Sequence, residues 1–327
     1  MRVLVTGGAG YVGMLTVEAL ASAGHDVAVL DNLLHGQEPL AARLEAGGAR
    51  VVRGDVRDAG ARSSALDGAE AVVHLAAIVG DPACARDPEL ANAVNVDGTR
   101  ALLGDALERG VERLVFASTC SNYGRMADPT VPVDEEAALA PVSLYAEQKV
   151  GVETWLLGLG GGSVSPTCLR FATVYGAAPR MRFDLTVNEF TRDLWAERGL
   201  EVFGEQFWRP YVHVADAAAA VATVLAAPAE RVGGQVFNVG RTDENYRKLD
   251  LVELITGRLG RGEVTYVHRD EDPRDYRVSF EKVRRELGFV PERRVPDGID
   301  ELVVALEEGR FGDPFDPAYS NLTSSPA

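Results

Sequence analysis

Short apolar runs alternate with longer stretches of helical periodicity through the first half of the chain. The apolar runs predict strands over 3–5, 27–30, 51–52, 71–75, 114–117 and 167–171, and the periodic stretches predict helices over 11–23, 88–109 and 144–157. Strands with so few polar positions are buried on both faces, as parallel strands covered by helices are. The pattern therefore predicts an α/β fold built on a doubly wound parallel sheet of six or seven strands.

The second half of the chain is less regular. Its pattern predicts a further strand over 235–239, a loop over 177–182 and helices over 183–197, 215–225, 249–259, 280–287 and 299–308. We find no internal repeat and no low-complexity linker. Residues 313–327 are rich in Pro, Ser and Asp, which predicts a flexible tail.

Composition and charge exclude several classes of protein. The chain has 327 residues, of which 46% are hydrophobic and 25% are charged. This is an ordinary globular composition, and the length suits about two domains. The 33 basic and 49 acidic residues give a net charge of −16. A chain this acidic, with no Lys/Arg cluster, repels a phosphate backbone, so we expect no nucleic-acid partner.

The cysteine spacing and the hydropathy of the chain predict the cellular compartment of the protein. Cys84, Cys120 and Cys168 are widely spaced and form no CxxC motif, so neither a metal site nor a disulfide framework is expected. No apolar run reaches the ~18 residues of a membrane span. The first strand begins at Val3, which leaves no room for a signal peptide. We expect a cytoplasmic protein that binds neither metal nor membrane.

A glycine-rich turn follows the first predicted strand and begins the first helix. Gly7, Gly10 and Gly13 are evenly spaced, and Tyr11 and Val12 stand at the start of the helix. Glycine allows a tight turn and a close approach of the backbone to a pyrophosphate. The N-terminus of the helix offers unpaired N–H groups and a partial positive charge. In this strand–turn–helix context the motif predicts a Rossmann-type dinucleotide site.

Acidic residues end two later strands of the same sheet. Asp31, followed by Asn32, ends the second strand, where a carboxylate accepts hydrogen bonds from the adenosine ribose. It would repel a 2′-phosphate, and no arginine follows at once, so NAD is predicted rather than NADP. Asp55, followed by Val56, comes after the third strand and is a candidate partner of the adenine amino group.

A tyrosine and a lysine share one face of the helix after the fifth strand. Tyr145 and Lys149 are separated by about one helical turn. A neighbouring ammonium lowers the pKa of a phenol, so the pair can move a proton at a carbinol while a nicotinamide accepts hydride. Ser118 and Thr119 end the fifth strand, where ligands of such sheets bind. A hydroxyl there can donate a hydrogen bond to the same substrate oxygen.

A set of motifs along the chain identifies a family. They are GGAGYVG at 7–13, DN at 31–32, DV at 55–56, HLAA at 74–77, NVDGT at 95–99, STCSNYG at 118–124, YAEQK at 145–149 and RPYVHVADAA at 209–218. With them the chain resembles the extended short-chain dehydrogenases/reductases of the NAD-dependent epimerase/dehydratase family, the nucleotide-sugar enzymes, from residue 1 to about residue 310. The motifs are specific for the family and much less specific for the reaction within it.

The resemblance implies roles for individual residues. Thr119, Tyr145 and Lys149 would form the catalytic triad. Beyond the glycines and acidic pairs, the cofactor contacts implied by the family fall on Leu75, Ala76, Ala77, Asn95 and Ser118, together with Tyr145 and Lys149. The substrate contacts implied or suggested in the same way fall on Cys120, Thr173, Arg182, Arg209, Arg269, Asp272 and Tyr276. Arginine suits the diphosphate, because its fork makes bidentate, charge-assisted contacts.

The resemblance also implies a division of the chain. Residues 1–174 with about 207–240 would form the NAD-binding Rossmann domain. Residues 175–206 and 241–312 would form a smaller α/β domain for the nucleotide sugar. In many relatives the subunits pair through the helices that correspond to 89–109 and 144–157, so a homodimer is expected.

Departures from the family pattern reduce the number of candidate reactions. Dehydratases usually carry an Asp-Glu pair after the catalytic threonine, and Cys-Ser at 120–121 lacks that acid and base. The thiol could instead serve as an acid/base or pack as a small residue beside the nicotinamide. Thr173 and Val79 replace an asparagine and a lysine of well-known galactose epimerases, so the sugar stays open. Arg180 and Arg182 resemble the loop with which uronic-acid epimerases hold a carboxylate.

The favoured hypothesis is an NAD-dependent epimerase of a nucleoside-diphosphate sugar, acting at C4 through a transient 4-keto sugar with Tyr145 as acid/base. One alternative is an NAD(P)H-dependent 4-ketoreductase with the same triad, although Asp31 speaks against NADPH, and a dehydratase ranks below it. Another is a non-catalytic NAD-binding module. Relatives of that kind tend to lose the tyrosine or the lysine, and this chain keeps both.

Overall fold

Strands and helices alternate through the first half of the protein. The computed structural model describes residues 1–126, 128, 131–159, 164–269 and 274–322. The first elements in chain order are β1 (Arg2–Thr6), α1 (Tyr11–Ser22), β2 (Asp26–Asp31), α2 (Glu38–Ala46), β3 (Arg50–Arg53), α3 (Ala59–Ala65), β4 (Ala71–His74), α4 (Asp81–Arg86), α5 (Pro88–Asn92), α6 (Thr99–Glu108), β5 (Arg113–Thr119), α7 (Leu144–Gly158) and β6 (Ser165–Phe171). The helix predicted over 88–109 contains a π-helical stretch, Ala93–Gly98, between α5 and α6.

Shorter strands characterise the second half. Its elements in chain order are β7 (Thr173–Tyr175), α8 (Thr186–Trp195), β8 (Leu200–Phe203), β9 (Trp208–His213), α9 (Val214–Ala226), α10 (Ala229–Val232), β10 (Gln235–Val239), β11 (Asn245–Arg247), α11 (Lys248–Leu259), β12 (Val264–Val267), α12 (Glu281–Leu287) and α13 (Val295–Glu307).

The central sheet joins elements from both halves of the chain. Within the described residues it has seven parallel strands in the order β10-β6-β5-β4-β1-β2-β3. The predicted doubly wound parallel sheet is therefore confirmed. The strand order reverses at β1, which lies between β2 and β4. Ligands of such sheets bind in the crevice at the carboxyl ends of the strands, beside this reversal.

A second group of elements covers the carboxyl edge of the central sheet. In it β9 pairs antiparallel with β11 and parallel with β7, and β8 pairs parallel with β12. Helices α8, α11 and α13 pack together through fully buried side chains such as Leu194, Ile255 and Leu302. The connections between the two groups are short, because β7 begins two residues after the end of β6 and β9 leads directly into α9.

The segment predicted as a flexible tail contacts the body of the protein where it is described. The Tyr319 carbonyl accepts a hydrogen bond of 2.8 Å from the Phe183 amide, and the rings of these residues lie edge to face. Farther along, Arg86 Nη1 donates to the Leu322 carbonyl at 2.6 Å. Residues 323–327 lie outside the described residues.

None of the helices among the described residues is both long and apolar enough to cross a membrane. No group of three or more His, Cys, Asp or Glu side chains in the same residues could hold a metal ion.

A buried histidine links β4 to its neighbours. His74 is fully buried, with Nδ1 2.8 Å from Thr6 Oγ1 and Nε2 2.8 Å from Thr99 Oγ1. Its ring stacks on Phe116. Burial lowers the pKa of His74 from 6.5 to about 3, and the nearby ammonium of Lys149 adds to the effect. The imidazole is therefore neutral in the folded protein throughout the neutral and mildly acidic range.

We expect His74 to make the protein sensitive to acid. Between pH 6.5 and about 3 the unfolded chain binds a proton at this residue that the folded protein does not, so the free energy of unfolding falls as the pH is lowered. The variant His74→Asn lacks this term, so its stability should depend less steeply on pH. Urea unfolding at a series of pH values measures both slopes. The matched control is His268→Asn, since the His268 side chain is 64% exposed. Parallel pH dependences for wild type and His74→Asn would contradict the prediction.

Candidate active site

A cleft of about 380 Å³ opens along the carboxyl edge of the central sheet. The ends of β1, β2, β4 and β5 form one wall, and residues after β6 form the other. Most of the residues predicted from the sequence meet here. Those that line the cleft are Gly7, Gly10, Tyr11, Val12, Gly13, Asp31, Asn32, Asp55, Val56, Leu75, Ala76, Ala77, Ser118, Thr119, Tyr145, Lys149, Thr173, Arg182 and Tyr276.

The glycine-rich turn forms a close-packed cradle. Gly7 has a φ of +69°, and a Cβ there would lie 2.9 Å from the Ala76 amide nitrogen. A Cβ on Gly13 would lie only 2.0 Å from the Gly7 carbonyl oxygen. Helix α1 begins at Tyr11 after Gly10, and no side chain caps its N-terminus. The cradle therefore presents backbone N–H groups to the cleft, which is the arrangement that a pyrophosphate requires.

The hydroxyl of Tyr11 contacts the opposite wall of the cleft. Tyr11 is 6% exposed, and its hydroxyl donates to the Gly176 carbonyl at 2.6 Å. The Asn188 side chain closes the link, because its Nδ2 donates to the Tyr11 hydroxyl and its Oδ1 accepts from the Gly176 amide. The side chain predicted to contact the cofactor thus fastens the cradle to the loop after β7.

The acidic residues at the ends of β2 and β3 occupy one end of the cleft. Asp31 accepts hydrogen bonds from the Ala9 amide at 3.0 Å and the Leu33 amide at 2.9 Å. Burial raises the pKa of Asp31, and these two donors oppose that rise. Asn32 Nδ2 donates to Asp55 at 3.0 Å. The residues predicted to hold the adenosine are therefore adjacent in the structure.

The residues of the predicted triad lie where β5 and α7 meet. Ser143 caps α7 by accepting a hydrogen bond from the Ala146 amide, which places Tyr145 in the first turn. Lys149 donates to the Ala117 carbonyl at 2.8 Å, and its Nζ lies 5.8 Å from the centre of the Tyr145 ring. Thr119 Oγ1 accepts from the Ser121 amide at 3.1 Å, so its own proton can be donated into the cleft.

Burial dominates the electrostatics of this pair. It lowers the pKa of Lys149 from 10.5 to about 8. It also raises the pKa of the Tyr145 phenol, and the charges that modify this pKa belong to Cys84, Arg182 and Asp81. The lowered phenol pKa that the sequence predicts from Lys149 is therefore wrong for the protein alone. The reason is that desolvation outweighs any attraction from an ammonium held at the Ala117 carbonyl.

Two predicted residues lie behind the cleft wall. Asn95, in the π-helical stretch, accepts from the Ile78 amide at 2.8 Å and donates to Gln148 at 2.9 Å. It thus supports the loop after β4. Cys120 is 1% exposed, and its thiol donates to the Arg170 carbonyl at 3.2 Å. Burial raises the pKa of Cys120 well above 9.0, which favours packing over acid/base chemistry.

The structure does not bring two predicted arginines to the cleft wall. Arg209 Nη1 donates to the Trp208 carbonyl at 2.6 Å, and the guanidinium lies 5.4 Å from the centre of the Tyr276 ring. Arg269 lies 5.3 Å from the centre of the Phe203 ring. Tyr276 itself does line the cleft, and its hydroxyl contacts Ser121. The predicted contact Asp272 lies outside the described residues.

Two arginines that are not among the predicted contacts also line the cleft. Arg274 approaches from the second group of elements and pairs with Asp81 at 2.9 Å. Asp81 also accepts a hydrogen bond of 2.6 Å from Ser143, the capping residue of α7. No local motif marks Arg274 in the sequence. Arg180, whose loop resembles the carboxylate-holding loop of uronic-acid epimerases, lines the cleft as well.

Comparison with known proteins places this geometry in context. The sequence pattern of the NAD-dependent epimerase/dehydratase family matches residues 3–240. UDP-glucose 4-epimerase of Corynebacterium glutamicum is 31% identical over 312 residues, which span 89% of this chain and 91% of that protein. dTDP-glucose 4,6-dehydratase of Streptomyces niveus is also 31% identical, over 95% of this chain and 94% of that protein.

Solved structures show the same similarity. UDP-glucose 4-epimerase of Thermus thermophilus, in complex with NAD, superposes with a TM-score of 0.83 at 30% identity. The match covers 94% of this chain and 99% of that one. The similarity therefore extends over the central sheet and the second group of elements alike.

Proposed function

The chain belongs to the NAD-dependent epimerase/dehydratase family, and from that premise we propose that it is an epimerase of a nucleoside-diphosphate sugar that acts at C4. Family membership confirms the prediction of NAD as the cofactor. The observation that carries the proposal is the convergence of Tyr145, Lys149 and Thr119 on the cleft that also contains the glycine cradle.

The residues present fit NAD. The cradle has no room for side chains at Gly7 and Gly13, and the uncapped N-terminus of α1 can receive the pyrophosphate. Asp31 is placed to accept hydrogen bonds from the adenosine ribose. Bound NAD would supply the hydride acceptor and donor, and its oxidised ring would add a positive charge that favours the Tyr145 phenolate.

The protein side chains would handle the proton of the sugar 4-hydroxyl. Tyr145 as phenolate takes that proton, and Thr119 donates a hydrogen bond to the same oxygen. The C4 hydrogen leaves with its electron pair and returns to the opposite face of the 4-keto sugar. Tyr145 then returns its proton to the oxygen, so substrate and product have the same composition. Lys149 positions the ribose and holds positive charge near the phenol.

The proposal assigns each group of elements one ligand. Residues 1–174 with 207–240 would bind NAD, and residues 175–206 with 241–312 would bind the nucleotide sugar. Thr173, Arg182 and Tyr276, which line the cleft, are the proposed substrate contacts. The Cys-Ser pair at 120–121 supports epimerisation over dehydration, since a buried thiol that donates to a carbonyl replaces the acid of the dehydratase pair.

The test begins with the protein as purified. Mass spectrometry and absorbance of the released small molecules would measure retained NAD. Incubation with a panel of UDP, dTDP and GDP sugars, without added cofactor, would follow by proton NMR. We expect interconversion of sugars of equal mass that differ in configuration at C4. A 4-keto nucleotide sugar is tested in parallel, and its conversion to a product heavier by two hydrogens, only with added NAD(P)H, would identify a ketoreductase instead. A product lighter by one water would identify a dehydratase, and no turnover of any sugar would favour a binding module.

A further inference from the structure

One cationic side chain of the cleft is buried with a guanidinium nitrogen that no described residue satisfies. Arg180 lines the cleft and is 5% exposed. Its Nη2 has no hydrogen-bond partner among the described residues. Burial lowers the pKa of Arg180 from 12.5 to about 10, which still leaves the guanidinium charged at neutral pH. A buried, unpaired charge is costly, so its presence calls for an anion that arrives with a ligand.

The other arginines of the cleft wall have protein carboxylates beside them. Arg182, on the same loop, pairs with Asp184 at 2.6 Å. Arg274 pairs with Asp81 at 2.9 Å. Arg180 lies near Asp184 and Asp31, but Asp184 is paired with Arg182, and neither carboxylate accepts a hydrogen bond from Arg180 Nη2. Arg180 is therefore the arginine of the cleft wall that can still donate a hydrogen bond to an anionic ligand.

The electrostatic neighbours of Arg180 place it at the cofactor end of the cleft. Its charge opposes the rise that burial causes in the pKa of Asp31, and it adds to the burial that lowers the pKa of His35. Both of these residues end or follow β2. The charge of Arg182 lowers the pKa of His35 as well, and it also lowers the pKa of the Tyr145 phenol. Arg180 thus lies close to the predicted ribose site and beside Arg182.

The loop that carries Arg180 is fastened to the glycine cradle on both sides. Before Arg180, the Gly176 carbonyl accepts from the Tyr11 hydroxyl at 2.6 Å. After it, the Arg182 carbonyl accepts from Asn188 at 2.9 Å, and Asn188 also donates to the Tyr11 hydroxyl. These bonds hold the loop in position against α1, so a ligand does not have to order it.

We propose that Arg180 binds the pyrophosphate of NAD from the side opposite the glycine cradle, and so sets how tightly the cofactor is retained. The diphosphate is the anion that the uncapped N-terminus of α1 is shaped to receive, and the loop that carries Arg180 is bonded to the hydroxyl of Tyr11, the first residue of that helix. A guanidinium suits phosphate oxygens, which it can contact in a bidentate manner. The proposal rests on the cofactor assignment and is independent of the identity of the sugar.

The test measures cofactor binding in the absence of any sugar. In Arg180→Gln we expect the dissociation constants of NAD and ADP to rise about tenfold to a hundredfold, since a charge-assisted hydrogen bond is lost. Binding of adenosine, which has no phosphate, should be unchanged. Arg180→Lys should recover part of the loss. The matched control is Arg231→Gln, an exposed arginine on α10.

Thermal unfolding provides a second readout that a folding defect would not reproduce. Without cofactor, Arg180→Gln should unfold at a higher temperature than the wild type, because an unpaired buried charge is removed. With saturating NAD the order should reverse. Unchanged NAD and ADP affinities would overturn the proposal. So would a variant that binds NAD normally but no longer distinguishes UDP-glucuronate from UDP-glucose, which would assign Arg180 to a sugar carboxylate. Loss of NADP binding alone would assign it to a 2′-phosphate.

Discussion

Tyr145→Phe should lower kcat for epimerisation by about 10²–10⁴-fold, the usual contribution of a general acid–base group. The substitution removes one hydroxyl and leaves the ring, so the packing at the start of α7 is kept. NAD should remain bound, because the cradle and Asp31 are untouched. The loss should appear in kcat rather than KM, since the proton is transferred only as the C4 hydrogen leaves.

Two comparisons make this result specific. Tyr266→Phe removes a hydroxyl from a tyrosine that is 43% exposed and outside the cleft, and it should leave kcat unchanged. The pH profile is the second comparison. Burial raises the pKa of Tyr145, so the wild-type rate should rise with pH as phenolate forms, whereas the residual rate of Tyr145→Phe should lack that limb. Activity of Tyr145→Phe within threefold of the wild type would exclude Tyr145 as the acid/base.

Lys149 should determine how the wild-type rate of epimerisation depends on pH above about pH 8. Its pKa of about 8 means that the ammonium is lost as the pH rises through that value. The rate should therefore stop rising above about pH 8, because the growing fraction of Tyr145 phenolate is then offset by the loss of the Lys149 ammonium. The apparent pKa values of this pH–rate profile belong to Tyr145 and Lys149 together, because a coupled pair does not titrate as two separate residues.

The sequence predicts those parts of the fold that local patterns determine. Most strands of the central sheet are rich in apolar, buried residues, so their pattern can be recognised without knowledge of the neighbouring strands. Helix α2 is different, because Ala41 and Leu44 are its only buried residues, and two positions are too few to show a helical period. Strands β7 and β11 have three residues each, too few for a period to show. They form because partners distant in sequence supply their hydrogen bonds.

The same distinction separates the predictable and unpredictable parts of the site. Gly7, Asp31 and Thr119 follow directly from strand ends, and the sheet brings all strand ends to one edge. Arg209 and Arg269 come from the second group of elements, where matching motifs fix the order of residues but not the direction of a side chain. The prediction of a lowered pKa for Tyr145 was wrong for a related reason, since the burial that raises this pKa arises only in the assembled cleft.

A buried polar network lies behind the wall that carries Ser118 and Thr119. Glu153 on α7 is 2% exposed and pairs with Arg170 on β6, which is 4% exposed. Ser118 donates to Glu153 at 2.6 Å. On the far side, Arg170 donates to the Tyr123 hydroxyl at 2.9 Å. The network therefore joins α7, β5 and β6 in a region from which water is excluded.

Glu153→Gln should destabilise the protein by about 3–5 kcal/mol, because the charge of Arg170 is then buried without a counter-charge. The amide can still accept from Ser118, so the loss reports on the ion pair rather than on that hydrogen bond. Urea unfolding measures the change. Glu147→Gln, an exposed position on the same helix, should be neutral. The double variant Glu153→Leu with Arg170→Met should recover most of the stability, since replacing both partners leaves no unpaired charge. A loss below about 1 kcal/mol in Glu153→Gln, the level of a surface pair, would show that the charge of Arg170 is compensated elsewhere in the folded protein.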